Sequence, residues 1–178
     1  VARGMKNFIV ITLGTGVGSG IVVNGQLVYG CDGFAGELGH VIMVRENGRP
    51  CGCGRTGCLE AYCSATGVAR TAREFLATSD EPSLLRDLDP EAITSYDVSV
   101  AASKGDALAH RIYNFTGKML GEACADCADF SSPEAFIFFG GLTKAGDLLM
   151  KPIKEAYDKT VLNIFRNKAK FLVSGLDG

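Results

Sequence analysis

The fold class is decided by residues 8–23, which read FIVITLGTGVGSGIVV. The first part, Phe8–Leu13, is apolar and largely β-branched, so it predicts a β-strand. Glycine then takes every second position of Gly14–Gly20, and the apolar run resumes at Ile21–Val23 as a second strand. The chain therefore opens with two strands joined by a glycine-dense turn.

The rest of the sequence alternates between strand and helix patterns. Asn24-Gly25 favours a two-residue hairpin, and Gly105 and Asp106 are expected to end one helix and cap the next. Strands are predicted at Leu27–Tyr29, Phe136–Phe139 and Lys170–Ser174, and helices from about Thr66, at Tyr96–Ser103, from Asp106 to about Ala128, and from about Lys144 to Asn163. Residues 30–57 predict a long loop, and the polar residues 79–92 a surface excursion. This order predicts an α/β fold in which helices flank a mixed sheet.

Composition argues against several classes of partner. The formal net charge of −2 at pH 7 gives no electrostatic reason to expect nucleic acid or an anionic membrane. The apolar runs are far shorter than a membrane-spanning helix, and the first residues lack the apolar core of a signal peptide. We therefore expect a cytoplasmic protein, in which cysteine thiols stay reduced.

The strongest motif is a cysteine cluster within the predicted loop. Residues 51–58 read CGCGRTGC, and His40 precedes them. Three thiolates and one imidazole complete the tetrahedron that Zn²⁺ prefers, so the predicted ligands are His40, Cys51, Cys53 and Cys58. Because no position would stay open for water, the ion would be structural. A disulfide with one spare thiol, or three small core residues, are the alternatives.

The remaining cysteines and the second histidine carry weaker signals. Cys31 and Cys63 flank the cluster, and core packing is the expected role of both. Cys124 and Cys127 form a C-x-x-C motif inside a predicted helix, whereas a redox pair needs an exposed helix start. These two are also assigned to the core. His110 lies in the same helix and is expected to be solvated.

The glycine-dense turn could bind phosphate. In Gly14–Gly20, backbone N–H groups and Thr15 could approach phosphate oxygens. The turn is not a dinucleotide-binding fingerprint, because a strand and not a helix follows it, and it lacks the lysine that closes a P-loop. A plain hairpin turn is the alternative. Gly140-Gly141, between a predicted buried strand and a helix, is a second candidate ligand edge, although many such corners only cap a helix.

Together these motifs resemble the ROK family (repressors, open reading frames, kinases), in its branch of glucokinase-like sugar kinases. The resemblance runs from about Lys6 to the end of the chain and rests on Leu13–Ile21, Gly30, Ala35–His40 and Cys51–Glu60. It implies an actin-like, ribonuclease-H-like ATPase fold, with sugar and ATP bound between two lobes. Residues 1–178 would form the carboxyl-terminal lobe, with a zinc-binding loop at about residues 30–60.

The resemblance also implies roles for matching positions in this chain. Zinc would be held by His40, Cys51, Cys53 and Cys58, and the sugar hydroxyls by Glu37, His40 and Glu60. ATP, as its magnesium complex, would contact Gly14, Thr15, Gly16, Gly140 and Gly141. If one ring nitrogen of His40 binds zinc, the other is a donor for a sugar oxygen. Helix capping by Glu37 and a solvated Glu60 are the alternatives.

Two features of the family's kinases are missing from this sequence. Those kinases carry an Asp-Gly-Gly-Thr phosphate loop and an Asn-Asp pair whose aspartate is the general base, and neither occurs here. We expect both to lie in an amino-terminal lobe outside this chain. The chain would then contain no catalytic residue of its own and would be inactive alone.

The resemblance predicts ATP-dependent phosphorylation of a hexose by the full-length protein, and a homodimer. A sugar-sensing transcriptional repressor of the same family is the alternative. Such relatives tend to lose the phosphate loop, whereas Gly14–Gly20 is intact here. Nucleic acid would be a partner only if a helix-turn-helix preceded the chain. A third interpretation is a zinc-stabilised interaction module without nucleotide chemistry.

Overall fold

The computed structural model describes residues 1–176, so the last two residues of the predicted lobe, 1–178, lie outside the described part. Within residues 1–176 the strands are β1 (Phe8–Leu13), β2 (Val17–Val23), β3 (Gln26–Leu27), β4 (Ala135–Phe139) and β5 (Lys170–Val173). The helices are α1 (Glu60–Cys63), α2 (Ala65–Thr78), α3 (Ser95–Ser103), α4 (Ala107–Ser131) and α5 (Asp147–Thr160). The strands form one sheet in the order β3-β2-β1-β4-β5, parallel among β1, β4 and β5 and antiparallel at β2 and β3. The predicted α/β fold with a mixed sheet is confirmed.

Strand β2 starts earlier than the sequence pattern predicts. It pairs with β1 from Val17 onward, and not from Ile21, because Gly18 and Gly20 continue the antiparallel ladder. The glycine-dense segment is therefore half turn and half strand. Its turn is confined to residues 14–16.

The hairpin between β2 and β3 has the predicted turn. Asn24 and Gly25 have φ angles of 51° and 79°, and a two-residue type I′ turn requires positive φ at both positions. β3 ends at Leu27 and not at the predicted Tyr29. The chain leaves the edge of the sheet at this point.

Helices α4 and α5 pack against each other and close the core beside the sheet. Tyr157 of α5 meets Phe136 of β4 and Phe171 of β5 edge-on, with ring centroids 5.8 and 4.9 Å apart. The two helices approach so closely that a Cβ atom at Gly121 would lie 2.3 Å from the Ile153 carbonyl oxygen. β4 is buried along nearly its whole length, as its continuous apolar sequence predicts.

Two predicted helices have different bounds. The helix expected from about Lys144 is interrupted, because Gly141–Ala145 forms a 3-10 turn and Gly146 (φ 57°) redirects the chain before α5 begins. α4 continues to Ser131, beyond the predicted end at Ala128. Among the residues that the structure describes, none of the helices combines the length and hydropathy needed to cross a bilayer.

One side-chain prediction is wrong, and another holds only in part. Cys31 is exposed and not in the core, because it lies in the loop where the chain has left the sheet edge. His110 is only partly solvated, since its Nε2 lies 2.9 Å from the carbonyl oxygen of Ala102. Cys63 and Cys124 are fully buried, as expected.

The polar segment 79–92 is more firmly attached than a surface excursion. Leu85 inserts into the core and is 1% exposed. Asp106 caps α4 by accepting from the Ala109 N–H over 2.9 Å, as predicted, and also accepts from the Leu84 N–H over 2.6 Å. One carboxylate therefore ties the segment to the start of the longest helix.

Candidate metal centre and ligand cleft

The structure brings the four predicted metal ligands together. The ligand atoms of His40, Cys51, Cys53 and Cys58 all lie within 4.8 Å of one another. His40 Nδ1 is 3.7 Å from Cys51 Sγ, and the Sγ atoms of Cys53 and Cys58 are 3.6 Å apart. Sulfur ligands about 2.3 Å from a tetrahedral Zn²⁺ are about 3.8 Å from one another. The three cysteines are free thiols, so the donor set and its spacing fit a closed zinc site.

Backbone contacts form the loop that carries the cysteines. Two isolated bridges close it, Ile42–Cys58 and Pro50–Thr56. At Gly57 the φ angle is 80°, and a Cβ atom there would lie 1.8 Å from the Val44 carbonyl oxygen. Glycine is therefore required at this position, directly before Cys58, for the loop to fold back on itself.

The surroundings affect the cysteine thiols unequally. The backbone N–H of Arg55, followed by its guanidinium, lowers the pKa of the Cys53 thiol to about 6. Burial raises the pKa of the Cys58 thiol to about 12. Arg55 also donates from Nη2 to the His40 carbonyl oxygen over 2.7 Å. This arginine thus links the histidine to the cysteine segment and favours one thiolate there.

Glu37 and His40 lie on one turn beside the cluster. Glu37 precedes the 3-10 turn Leu38–His40 without capping it, and its Oε2 is 3.9 Å from His40 Nε2. Because Nδ1 faces the cysteines, Nε2 is the ring nitrogen left to meet a ligand. The Ser19 hydroxyl of β2 accepts from the Leu38 N–H over 3.3 Å and holds the turn against the sheet. The Glu37 side chain is 66% exposed, so its carboxylate is open to a ligand.

Glu60 opens α1, a short helix that the sequence pattern did not predict. Its Oε2 accepts from the Val17 N–H over 2.9 Å, so the carboxylate is held at the glycine turn. The preceding N–H, of Leu59, donates to the Val41 carbonyl oxygen over 2.9 Å. Since Val41 follows His40 directly, this bond brings the start of α1 to the metal cluster. Glu60 thus lies between the glycine turn and the metal cluster.

A cleft of about 540 Å³ joins the two glycine turns. Gly14 and Thr15 line one part of it, and Gly141 lines another. Gly16 and Gly140 are not among the residues that line the cleft. A Cβ atom at Gly16 would meet Glu60, and one at Gly140 would meet the backbone of β1. The predicted ATP-binding glycines are therefore neighbours in space, although they are far apart in sequence.

One wall of the cleft comes from α3, which the sequence analysis did not connect with function. Its contribution consists of Ser95, Tyr96, Ser99, Val100 and Ser103. Small polar residues and one exposed aromatic residue on a short helix are typical of an ordinary solvent-facing surface. The sequence therefore carries no signal that could have found them, and only the structure shows that the 73% exposed Tyr96 borders the cleft.

The fold and the site define the class of protein: the mixed sheet and its helices have an actin-like ATPase fold, with a candidate metal loop (residues 40–58) beside a cleft. The ROK family model matches residues 1–176. The chain belongs to the ROK family.

Similar proteins include kinases and a regulator. A glucokinase of Halalkalibacterium halodurans is 44% identical over 174 residues, which cover 97% of this chain and 53% of the relative. An N-acetylglucosamine repressor of Escherichia coli O6:H1 is 29% identical over 172 residues, covering 97% of this chain and 41% of the relative. The chain thus spans about half the length of the curated relatives it matches.

A solved structure agrees with this fold over the whole chain. It is a ROK family glucokinase from Streptomyces griseus in complex with glucose and AMPPNP. It superposes with a TM-score of 0.90 at 33% identity, and the match covers 100% of this chain and 58% of that one.

Proposed function

We propose that this chain is one lobe of an ATP-dependent hexose kinase of the glucokinase type. The observation that carries the proposal is the intact glycine turn at residues 14–16, which opens into the same cleft as Gly141. The similarity to the glucokinase of H. halodurans supports the choice of reaction. The solved S. griseus glucokinase, which holds glucose and AMPPNP, supports the choice of ligands.

ATP with Mg²⁺ would occupy the cleft. The backbone N–H groups of Thr15 and Gly16 and the Thr15 hydroxyl would meet phosphate oxygens, where negative charge accumulates during phosphoryl transfer, while the Gly14 N–H donates to the Gly16 carbonyl oxygen over 3.0 Å and shapes the turn. The adenosine would lie along Gly141 and the ring of Tyr96. Gly140 would keep the second turn close to β1, so that Gly141 stays at the edge of the cleft.

Hexose hydroxyls would be bound by Glu37, His40 and Glu60. Ionised carboxylates accept hydrogen bonds from neighbouring hydroxyls, and the Nε2 of His40 donates one. A structural zinc ion held by His40, Cys51, Cys53 and Cys58 would fix the tautomer and orientation of that imidazole. Because Glu60 also bonds to the glycine turn, the sugar would be placed next to the phosphate site.

Phosphoryl transfer needs a group that this sequence does not supply. A carboxylate must receive the proton of the sugar hydroxyl, and the Asn-Asp pair expected for that role does not occur in these residues. We therefore assign turnover to the full-length protein, with residues 1–178 as its carboxyl-terminal lobe. The homodimer inferred from the family resemblance stays a prediction.

A sugar-sensing repressor is the second candidate function. It is favoured by the N-acetylglucosamine repressor of E. coli O6:H1, whose similarity covers 97% of this chain. A sensor needs the sugar site and the metal loop but no phosphoryl transfer. Whether ATP binds and reacts in the cleft between the two glycine turns therefore distinguishes the kinase from the repressor.

The deciding experiment is a coupled ADP-release assay on the full-length protein with Mg-ATP and a panel of hexoses. The kinase proposal predicts ADP release that requires a sugar and saturates with it. ADP release at the same rate without any sugar would reject the proposal. Sugar binding without ADP release across the panel would favour the repressor.

A further inference from the structure

Arg49 is a buried cation within the metal loop, between the candidate ligands His40 and Cys51, and the proposed reaction does not use it. The residue is 6% exposed. Its guanidinium donates four hydrogen bonds, to Ala61 O (3.2 Å), Gly67 O (3.3 Å), Thr71 Oγ1 (3.0 Å) and Glu74 Oε2 (2.5 Å). All four acceptors belong to α1 or α2. The side chain therefore attaches the loop to both helices.

The same guanidinium lies over two aromatic rings. Its Cζ lies 4.5 Å from the centroid of the Tyr62 ring and 5.7 Å from that of Phe115. The backbone N–H of Arg49 donates to the Tyr62 hydroxyl over 2.9 Å. Because Tyr62 belongs to α1, the main chain and the side chain of Arg49 both hold this short helix in place.

The other contacts of Arg49 lie within the metal loop. Its carbonyl oxygen accepts from the Gly57 N–H over 2.8 Å, and the chain continues through Pro50 to the ligand Cys51. Gly57 directly precedes the ligand Cys58. The residue thus sits where the two cysteine-bearing segments and the helix that starts at Glu60 meet.

We propose that Arg49 is a positioning residue, which keeps the carboxylate of Glu60 in register with the metal loop. A lysine could not replace it fully, since an ammonium group has three donors and cannot satisfy four acceptors spread over two helices. A neutral side chain would remove all four of these hydrogen bonds, and only Gly67 O and Glu74 would keep another donor, from the Thr71 hydroxyl and from Arg70. The sugar-binding part of this inference rests on the proposed function, whereas the loop-anchoring part does not.

The test compares Arg49→Lys and Arg49→Met with Arg70→Ala in the zinc-loaded full-length protein. Arg70 is the matched control, because its Nε pairs with the same Glu74 over 3.0 Å but from within α2. Zinc release into a chromogenic chelator should be faster by about tenfold or more in Arg49→Lys. The KM for sugar should rise in the same variant while the KM for ATP stays near the wild-type value.

Each outcome decides the inference. Arg70→Ala should release zinc and bind sugar as the wild type does, and Arg49→Met should exceed Arg49→Lys in both effects. If Arg49→Met does not fold, Arg49→Lys carries the test alone. Wild-type zinc release from Arg49→Lys, or equal acceleration in Arg70→Ala, would overturn the inference. If the wild type itself binds no sugar, the proposed function fails, and zinc release alone still decides the role of Arg49.

Discussion

Glu60 accepts a hydrogen bond from the backbone N–H of Val17, with 2.9 Å between the nitrogen and Oε2. The same oxygen lies only 2.5 Å from where a Cβ atom at Gly16 would be. The first residue of α1 is therefore packed directly against the glycine turn. In the proposed kinase, this bond connects the carboxylate that binds sugar with the turn that binds phosphate.

Two substitutions at Glu60 should separate these roles. Glu60→Gln keeps an acceptor for the Val17 N–H but removes the charge, so the KM for sugar should rise about tenfold, equivalent to about 1.4 kcal/mol. The KM for ATP should change little. Glu60→Ala loses both interactions and should raise both KM values. Steady-state kinetics on the full-length protein measure both KM values. If the two variants change the KM for ATP equally, the hydrogen bond from Val17 to Glu60 does not support the phosphate site.

Gly14 offers a test of phosphate binding that leaves the fold intact. A Cβ atom at this position would have no neighbour within 4 Å, so Gly14→Ala should change the free energy of unfolding by less than about 0.5 kcal/mol. Because Gly14 lines the cleft, the added methyl group should take up space proposed for phosphate, and the KM for ATP should rise about tenfold or more. If a stably folded Gly14→Ala protein has the wild-type KM for ATP, the glycine turn does not bind phosphate.

Gly140 and Gly141 should respond differently to the same change. Gly140 has φ of 110°, and a Cβ atom there would lie 2.4 Å from the Leu13 carbonyl oxygen, so Gly140→Ala should destabilise the protein by about 3 kcal/mol. A Cβ atom at Gly141 meets open space, so Gly141→Ala should keep wild-type stability and weaken nucleotide binding. Thermal melts and nucleotide titrations distinguish these effects. Equal stability loss in both variants would refute the assignment of Gly141 to the cleft.

Asp106 should make stability depend on pH in the acid range. Its burial alone would raise the pKa of the carboxyl, but hydrogen bonds from the Ala109 and Leu84 N–H groups and the Ser83 hydroxyl outweigh burial and lower it. A lowered folded-state pKa means that the stabilisation is present above about pH 4 and is lost as the pH falls through the folded pKa. Asp106→Ala should cost about 2 kcal/mol at pH 7, and less in acid.

Urea unfolding at pH 7 and below pH 4 measures this difference. Asp80→Asn is a suitable control, because Asp80 is an exposed aspartate in the same region. Its effect should be near zero at both pH values. A cost for Asp106→Ala that does not fall with pH would show that the carboxylate charge is not what stabilises the cap.

Local signals account for what the sequence predicted correctly. The Asn24-Gly25 turn, the buried strand β4 and the cap at Asp106 each depend on neighbours in sequence. The start of β2 was missed because glycine has little strand propensity of its own, and cross-strand pairing of Gly18 with Thr12 extends the strand. The break at Gly146 was missed for a similar reason, since a single glycine in an amphipathic pattern does not reveal whether the helix continues.

In the candidate site, too, residues close in sequence were predicted and residues brought together by the fold were not. Glu37 and His40 are three residues apart, and the cysteines lie within one short segment, so spacing alone placed them together. Arg49 and the α3 wall with Tyr96 were not found, because their roles arise from contacts between elements distant in sequence. Such contacts leave no periodic or motif signal in a single chain.

In the proposed site, one zinc ion would join His40 to residues 51–58 and hold the sugar-binding groups in place. Metal analysis of the full-length protein, purified without a metal-affinity tag and without added metal, measures it directly. We expect one zinc per chain, and almost none in Cys51→Ser, with sugar affinity falling in parallel. Wild-type protein that is folded and binds sugar but contains no zinc would contradict the account.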